Sequence, residues 1–149
     1  MKKHLSSLSA ICVFLICSSA AIPAQQQVAW ETLMQSSTGG SDTPQIIVAK
    51  EPTVVADFFR KVNKSGDTHL AAPKVDYNTE MLLILCMGQK RTGGYQINVK
   101  SIEEKGQLIE VTVEETVPAE GDMVTMMTTK PFTIVKLKST NKKLLFKKL

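Results

Sequence analysis

Two segments of the chain, residues 95–100 and 109–114, alternate apolar and polar side chains. This alternation is typical of strands that bury one face. Residues 103–107 lie between them and include Gly106, and glycine readily adopts the positive φ of a tight hairpin turn. Folding the chain about Lys105 places apolar pairs on one face and an opposite-charge pair on the other. The predicted pairs are Val99 with Val111, Ile97 with Val113, and Lys100 with Glu110.

An almost continuous apolar run at residues 81–87 predicts a strand that is buried on both faces and lies at the centre of a sheet. Stretches rich in β-branched and aromatic residues predict further strands at residues 28–34, 45–50 and 132–138. Pro131 precedes the last of these, and proline is tolerated at the first residue of a strand.

One helix is predicted over residues 52–63. Its apolar residues recur at the spacing of a single helical face, and they are Val55, Phe58, Phe59 and Val62. Pro52 suits the first helical position, and Gly66 can end the helix in a left-handed cap. The pattern as a whole indicates an α+β domain, in which one helix packs on a mainly antiparallel sheet of about five or six strands.

The N-terminus is typical of a secretory signal peptide. Lys2 and Lys3 precede an apolar run at residues 8–17, and small residues follow at 18–21. We therefore expect residues 1–24 to be a signal peptide, residues 25–138 to be the folded domain and residues 139–149 to be a basic C-terminal tail. The expected location is outside the cytoplasm, as a periplasmic, cell-surface or secreted protein.

Charge is divided unevenly along the chain. Residues 25–135 contain ten Lys and Arg against fourteen Asp and Glu, a net charge of −4, whereas residues 136–149 contain six Lys and no acidic residue. The domain lacks a basic stripe with interleaved aromatic residues, so nucleic acid is not an expected partner. The basic tail could touch anionic lipid, but a short terminus is more often frayed and solvated, and we expect that here.

The sequence contains few groups that could catalyse a reaction. Without residues 1–24, its histidine and cysteine are His69 and Cys86. Cys86 lies inside the apolar run, which predicts a buried thiol rather than a nucleophile. Asp76 precedes a strand, where aspartate usually accepts hydrogen bonds from nearby backbone N–H groups. Catalytic motifs and metal-ligand spacings are absent, so we expect no enzyme activity, cofactor or metal.

The connection between two predicted strands is the candidate binding site. It contains Arg91, Thr92, Gly93, Gly94 and Tyr95. Glycine allows close approach of another chain, and tyrosine is enriched at interfaces. The alternative is that Gly93 and Gly94 form only a tight connection and that Tyr95 belongs to the core.

A second loop, at residues 118–129, contains three methionines, Met123, Met126 and Met127. Two interpretations remain open for them. They could form an adaptable binding surface, or they could pack beneath the sheet.

The order of short motifs resembles the family named after the C-terminal domain of PrcB, a subunit of a bacterial surface protease complex. The motifs are Val75-Asp76-Tyr77, Gly88 after the apolar strand, Thr92-Gly93-Gly94-Tyr95, the hairpin to Glu114, and Pro131-Phe132-Thr133-Ile134-Val135. Tyr77 replaces the family's usual Phe.

The resemblance implies an exported accessory protein with a protein partner, for which a protease is the candidate. No catalytic residues come with the family. The expected contact face combines the loop at residues 91–95 with Pro131 and Phe132 of the adjacent strand. The alternative function is a protease inhibitor that acts through the Thr92-Gly93-Gly94-Tyr95 loop.

Overall fold

The computed structural model describes residues 25–65 and 69–149. The elements in these residues are β1 (Gln26–Gln27), β2 (Trp30–Ser36), β3 (Pro44–Ala49), α1 (Pro52–Ser65), β4 (Glu80–Met87), β5 (Gln96–Lys105), β6 (Leu108–Thr116), β7 (Phe132–Lys138) and β8 (Lys143–Lys148). The predicted signal peptide lies outside the described residues. Within these residues, no helix is long and apolar enough to cross a membrane.

The described strands form two sheets of four strands each. The outer sheet has the order β1-β5-β6-β8, and the middle sheet has the order β2-β7-β4-β3. All strand pairs are antiparallel except β6 with β8. The predicted α+β class with mainly antiparallel pairing is confirmed, but the predicted single sheet of five or six strands is wrong.

Two sheets form because β4 is apolar on both faces and needs a covering layer on each. Met81, Leu83 and Leu85 pack against the outer sheet, and that core also contains Val99, Ile102 and Val111. Leu82, Ile84 and Cys86 face the opposite way, into a second core with the helix. Each fully buried aliphatic side chain stabilises the fold by about 1.5–3 kcal/mol relative to exposure. The predicted burial of β4 on both faces is confirmed, as is its position inside a sheet.

Helix α1 covers the second face of the middle sheet with the predicted stripe. Val55, Phe58, Phe59 and Val62 are all buried. The ring of Phe58 makes edge contacts with Phe59, at 5.5 Å between centroids, and with Phe132, at 5.6 Å. The predicted cap at Gly66 lies outside the described residues.

The β5–β6 hairpin is present, but its predicted register is wrong. Val99 pairs with Val113, and the register then shifts across a bulge between Val99 and Ser101. The turn is the two-residue pair of Gly106 and Gln107, and Gly106 has a φ of 63°. The pairs next to the turn, such as Ile102 with Val111, are centred between Gly106 and Gln107, so folding symmetrically about Lys105 gave wrong partners. The bulge adds one residue to β5 and changes the register once more beyond it. Lys100 accordingly pairs with Glu114, at 3.0 Å, rather than with Glu110.

The C-terminal segment is not the frayed terminus expected from its length and charge. Residues Lys143–Lys148 form β8, a parallel neighbour of β6 at the edge of the outer sheet. Leu144 and Phe146 pack against the core between the sheets. Lysines on either side of these two residues make ion pairs with glutamates of the outer sheet, and those pairs are Lys142 with Glu104, Lys147 with Glu110, and Lys148 with Glu115.

Candidate protein-binding surface

The predicted binding loop lies where the chain leaves β4 in the middle sheet and enters β5 in the outer sheet. It is joined to a second long loop, residues 117–130, which we call the methionine loop. The backbone N–H of Lys90 donates to the Thr129 carbonyl oxygen at 2.8 Å, and the Thr129 N–H returns a bond to Lys90 at 3.0 Å. The two connections therefore form one paired unit at this end of the molecule.

Gly93 is buried beneath the methionine loop. Its N–H donates to the carbonyl oxygen of Thr125 at 2.9 Å. A Cβ atom at this position would lie 2.3 Å from the Thr125 hydroxyl oxygen. Next to it, the buried Thr129 hydroxyl donates to the carbonyl oxygen of Thr92 at 2.7 Å. Gly93 is thus required by the close approach of the two loops.

Gly94 has two reasons to be glycine. Its φ is +87°, a conformation that L side chains rarely adopt. A Cβ atom there would also lie 2.9 Å from a methyl carbon of Val124 and 3.1 Å from the Pro118 side chain. These contacts favour the interpretation in which the glycine pair is a tight connection, and they add that it supports the methionine loop.

Tyr95 combines a core contact with a place at the surface. It is partly buried and packs against the core between the sheets. The Lys90 ammonium group lies 5.3 Å from the centre of its ring, a cation–π contact. Tyr95 also lines a cleft of about 310 Å³, together with Gly94, Gln96 and the end of β2.

The other predicted site residues differ in their access to solvent. Arg91 is exposed and Thr92 is partly exposed, but Pro131 and Phe132 are buried. Phe132 is 0% exposed and packs against the helix, although it forms part of the floor of the cleft. The carbonyl oxygen of Pro131 accepts the N–H of Met87 at 2.9 Å. The structure thus brings the predicted residues together, but the side chains of Pro131 and Phe132 are buried and not available at the surface.

Three methionine side chains are exposed on the methionine loop. Met123 is 102% exposed, Met126 is 88% exposed and Met127 is 53% exposed; nearby Val117 is 59% exposed. These values exclude the interpretation in which the methionines pack beneath the sheet. A group of apolar side chains in solvent on one loop is typical of an interaction surface.

The base of the methionine loop is fixed by further polar contacts. The Asp122 carboxylate accepts the N–H of Ala119 at 2.7 Å, which closes a local turn. Lys130 makes an ion pair of 2.6 Å with Asp42, at the edge of the middle sheet. The loop therefore holds its methionines on a braced backbone, which reduces the entropy lost when a partner binds.

The groups with catalytic potential are used structurally. Burial raises the pKa of the Cys86 thiol above its ordinary value, so the reactive thiolate is disfavoured. Hydrogen bonds from the Asn78 backbone, then from the side chains of Thr79 and Asn78, lower the pKa of Asp76. The predicted roles of Cys86 as a buried thiol and of Asp76 as a backbone acceptor are confirmed.

A larger groove, of about 470 Å³, lies at the opposite end of the middle sheet. Its lining includes Trp30, Glu80 and Lys136. Lys136 pairs with Glu31 and with Glu80, each at 3.2 Å, so its charge is compensated within the fold. Sequence reasoning missed this groove, because β2, β4 and β7 come together there only in the folded sheet. Its size exceeds that of the cleft at Tyr95, but it lacks the exposed methionines.

The methionine loop and both glycines lie in the part of the chain that has a known family pattern. Residues 81–138 match the family model described as PrcB C-terminal. The resemblance is confirmed over this segment, which covers β4 to β7. The matched segment thus contains β4, which both cores share, together with the glycine connection and the methionine loop. Searches of curated proteins and of solved structures found no match.

Proposed function

We propose that the chain is an exported, non-catalytic binding module that serves as an accessory subunit of a protease complex. The observation that carries the proposal is the exposure of Met123 and Met126 on a braced loop inside the PrcB C-terminal segment. Methionine is flexible and polarizable, so such a surface can adapt to the shape of a partner. The methionine loop is the proposed contact, with Arg91 at its border.

A non-catalytic role is supported by the state of the candidate nucleophile and base. Cys86 is buried between the middle sheet and the helix, with its pKa raised. Asp76 is held by its neighbours Asn78 and Thr79. An enzyme would need such groups to converge in an accessible site.

Protease inhibition through the Thr92-Gly93-Gly94-Tyr95 loop is the alternative, and it has less support. An inhibitory loop must present its backbone to the active-site cleft of a protease. Gly93 is instead buried, and its N–H is used by Thr125 of the methionine loop. An activity assay on a captured protease separates the two functions, because a helper leaves or raises its activity and an inhibitor abolishes it.

The basic C-terminal residues support neither nucleic acid nor membrane as the partner. Lys142, Lys147 and Lys148 make ion pairs with glutamates of the outer sheet. Their charge is therefore compensated by the fold, and the contact surface that we propose lies elsewhere.

The test is site-specific photo-crosslinking in the cells that make the protein. A photoreactive amino acid at Met126 should cross-link to one major protein partner, a protease. The matched control is the same amino acid at Leu145, an apolar residue that is 42% exposed on the outer sheet. Equal cross-linking at both positions, or none at Met126, would contradict the proposed surface.

A further inference from the structure

The methionine loop contains three thioether sulfur atoms within five residues, on side chains that no packing role requires. Met123 and Met126 are 102% and 88% exposed, so their apolar atoms gain little from burial in this chain. Docking of a partner explains why the side chains are apolar, but leucine would also supply an apolar surface. The sulfur atoms themselves have a chemistry that leucine lacks.

We propose that Met123, Met126 and Met127 form a binding site for a soft monovalent cation of the Cu(I) class. Thioether and thiolate ligands select Cu(I) over hard cations, which prefer oxygen. The expectation that the chain binds no metal rests on histidine, cysteine and carboxylate spacings, and thioether ligands lie outside those patterns. The site goes beyond the proposed docking function and does not depend on it.

The spacing allows the three sulfur atoms to meet. Met126 lies three positions after Met123, a backbone span of at most about 11 Å. Met127 follows directly, at a bend in the chain. Each methionine side chain has three rotatable bonds and adapts to irregular positions. Because all three extend into solvent, they can converge on an ion without displacing any part of the core.

The backbone of this segment is already fixed at its centre and just beyond its end. The carbonyl oxygen of Thr125 accepts the Gly93 N–H at 2.9 Å, and Thr129 makes two backbone bonds with Lys90. The ligand segment is therefore anchored at Thr125 and at Thr129, which lowers the entropy lost on binding an ion.

Neighbouring groups favour a soft ion over a hard or divalent one. The Asp122 carboxylate accepts the Ala119 N–H within the local turn. Cys86 is buried between sheet and helix, on a different element. The donors that the three methionines supply are neutral thioethers, which suit a soft monovalent ion better than a hard divalent one.

The experiment is a titration of the protein without its expected signal peptide, residues 25–149, with silver(I) alone, a redox-inert probe for Cu(I), followed by NMR of assigned methionine methyl groups. This form of the protein lacks Cys12 and Cys17, whose thiols would compete for silver. We expect the signals of Met123, Met126 and Met127 to shift and to saturate near one silver ion per chain. The buried methionines Met81 and Met87 provide the internal control, and their signals should stay in place.

A variant with all three residues changed to leucine keeps the apolar surface and removes the sulfur atoms. Loss of outer-shell partners alone typically weakens metal binding by about 10–100-fold, so loss of the ligands should weaken silver binding at these positions at least about tenfold. Unmoved methyl signals of the three methionines, or unchanged silver affinity in the leucine variant, would overturn the proposal.

The same variants distinguish the proposed metal site from the proposed docking surface. The leucine variant should keep its partner, because it keeps the apolar contact area, and should lose silver. A variant with the three residues changed to glutamine should lose both. Partner loss in the leucine variant would count against docking through apolar contact, whereas retained silver binding would count only against the metal site.

Discussion

Gly94 shows how one residue joins two loops of the candidate site. Two independent features disfavour a side chain at this position. One is the positive φ, and the other is the lack of space between the backbone and the side chains of Val124 and Pro118. The Thr-Gly-Gly-Tyr sequence therefore supports the surface from below, while the methionines beside it supply the exposed atoms.

Gly94→Ala should destabilise the protein more than Gly121→Ala. Both glycines have positive φ, at +87° and +92°, but a Cβ at Gly121 would meet nothing within 4 Å. The conformational strain of about 1–2 kcal/mol is common to both variants, and crowding should add about 1–3 kcal/mol at Gly94 only. Urea unfolding measures the difference. Equal losses of unfolding free energy in the two variants would contradict the prediction, because they would show that Val124 and Pro118 move aside for a side chain at position 94.

Glu110 is the residue for which a pH dependence is expected. Its side chain is 13% exposed and lies 2.7 Å from both Lys105 and Lys147. The hydrogen bond from Lys105, and then that from Lys147, lowers the pKa of Glu110. A lowered pKa in the folded state means that the stabilisation is complete above the ordinary glutamate pKa and is lost as the pH falls through the lowered value.

Glu110→Gln should therefore lower the free energy of unfolding at neutral pH, and the difference from the parent should shrink in acid. Urea unfolding from about pH 7 down to about pH 3 covers the range in which a glutamate titrates. Glu120→Gln, at an exposed carboxylate of the methionine loop, is the control. A difference at Glu110 that stays constant with pH would contradict the assigned ion pairs.

Among the elements, those whose position depends on the burial of nearby apolar residues were predicted correctly from the sequence. Two apolar patterns each predicted one element correctly, because burial of apolar side chains determines both elements. They are the helical stripe of Val55, Phe58, Phe59 and Val62, and the continuous apolar run of β4. The predicted hairpin register was wrong because the turn is centred between Gly106 and Gln107 rather than on Lys105, and the bulge near Lys100 then shifts the pairing by one more residue. The strand β8 was missed because its lysines suggested a solvated end, whereas its alternating Leu144 and Phe146 face the core.

The same limit applies to the candidate site. Sequence alone identified the glycine connection and the three methionines, but it could not show that they pack on each other through Gly93 and Thr125. That contact joins residues 32 positions apart and depends on how β4 and β7 pair. For the same reason, the sequence suggested Pro131 and Phe132 as surface residues, although the helix covers Phe132.

The alternation in β8 makes a prediction with a neighbouring control. Phe146→Ala should destabilise the protein by about 2 kcal/mol, because the ring packs against the core between the sheets. Leu145→Ala, at the residue that faces outward, should change stability by no more than about 0.5 kcal/mol. Thermal unfolding of both variants measures this. Equal effects would contradict the placement of β8 in the outer sheet.

At the scale of the molecule, the fold is a braced support for one exposed loop. The helix and the two sheets bury β4 on both faces, and the ends of β4 and β7 carry the glycine connection and the methionine loop. Residues 81–138, which match the family model, supply β4 to β7 and these two loops. The rest of the described chain adds the helix, the β2 and β3 strands and the β8 edge, which complete the layers around it.

The most direct measurement is quantitative affinity capture of the protein from its own cells and medium, read by mass spectrometry. We expect recovery of a protease in near-equal amount. The protease should be lost when Met123, Met126 and Met127 are changed to glutamine, but not when Leu145 is changed to glutamine. Recovery of the protein without a stoichiometric partner, or equal recovery of the protease with the glutamine variant, would contradict the account.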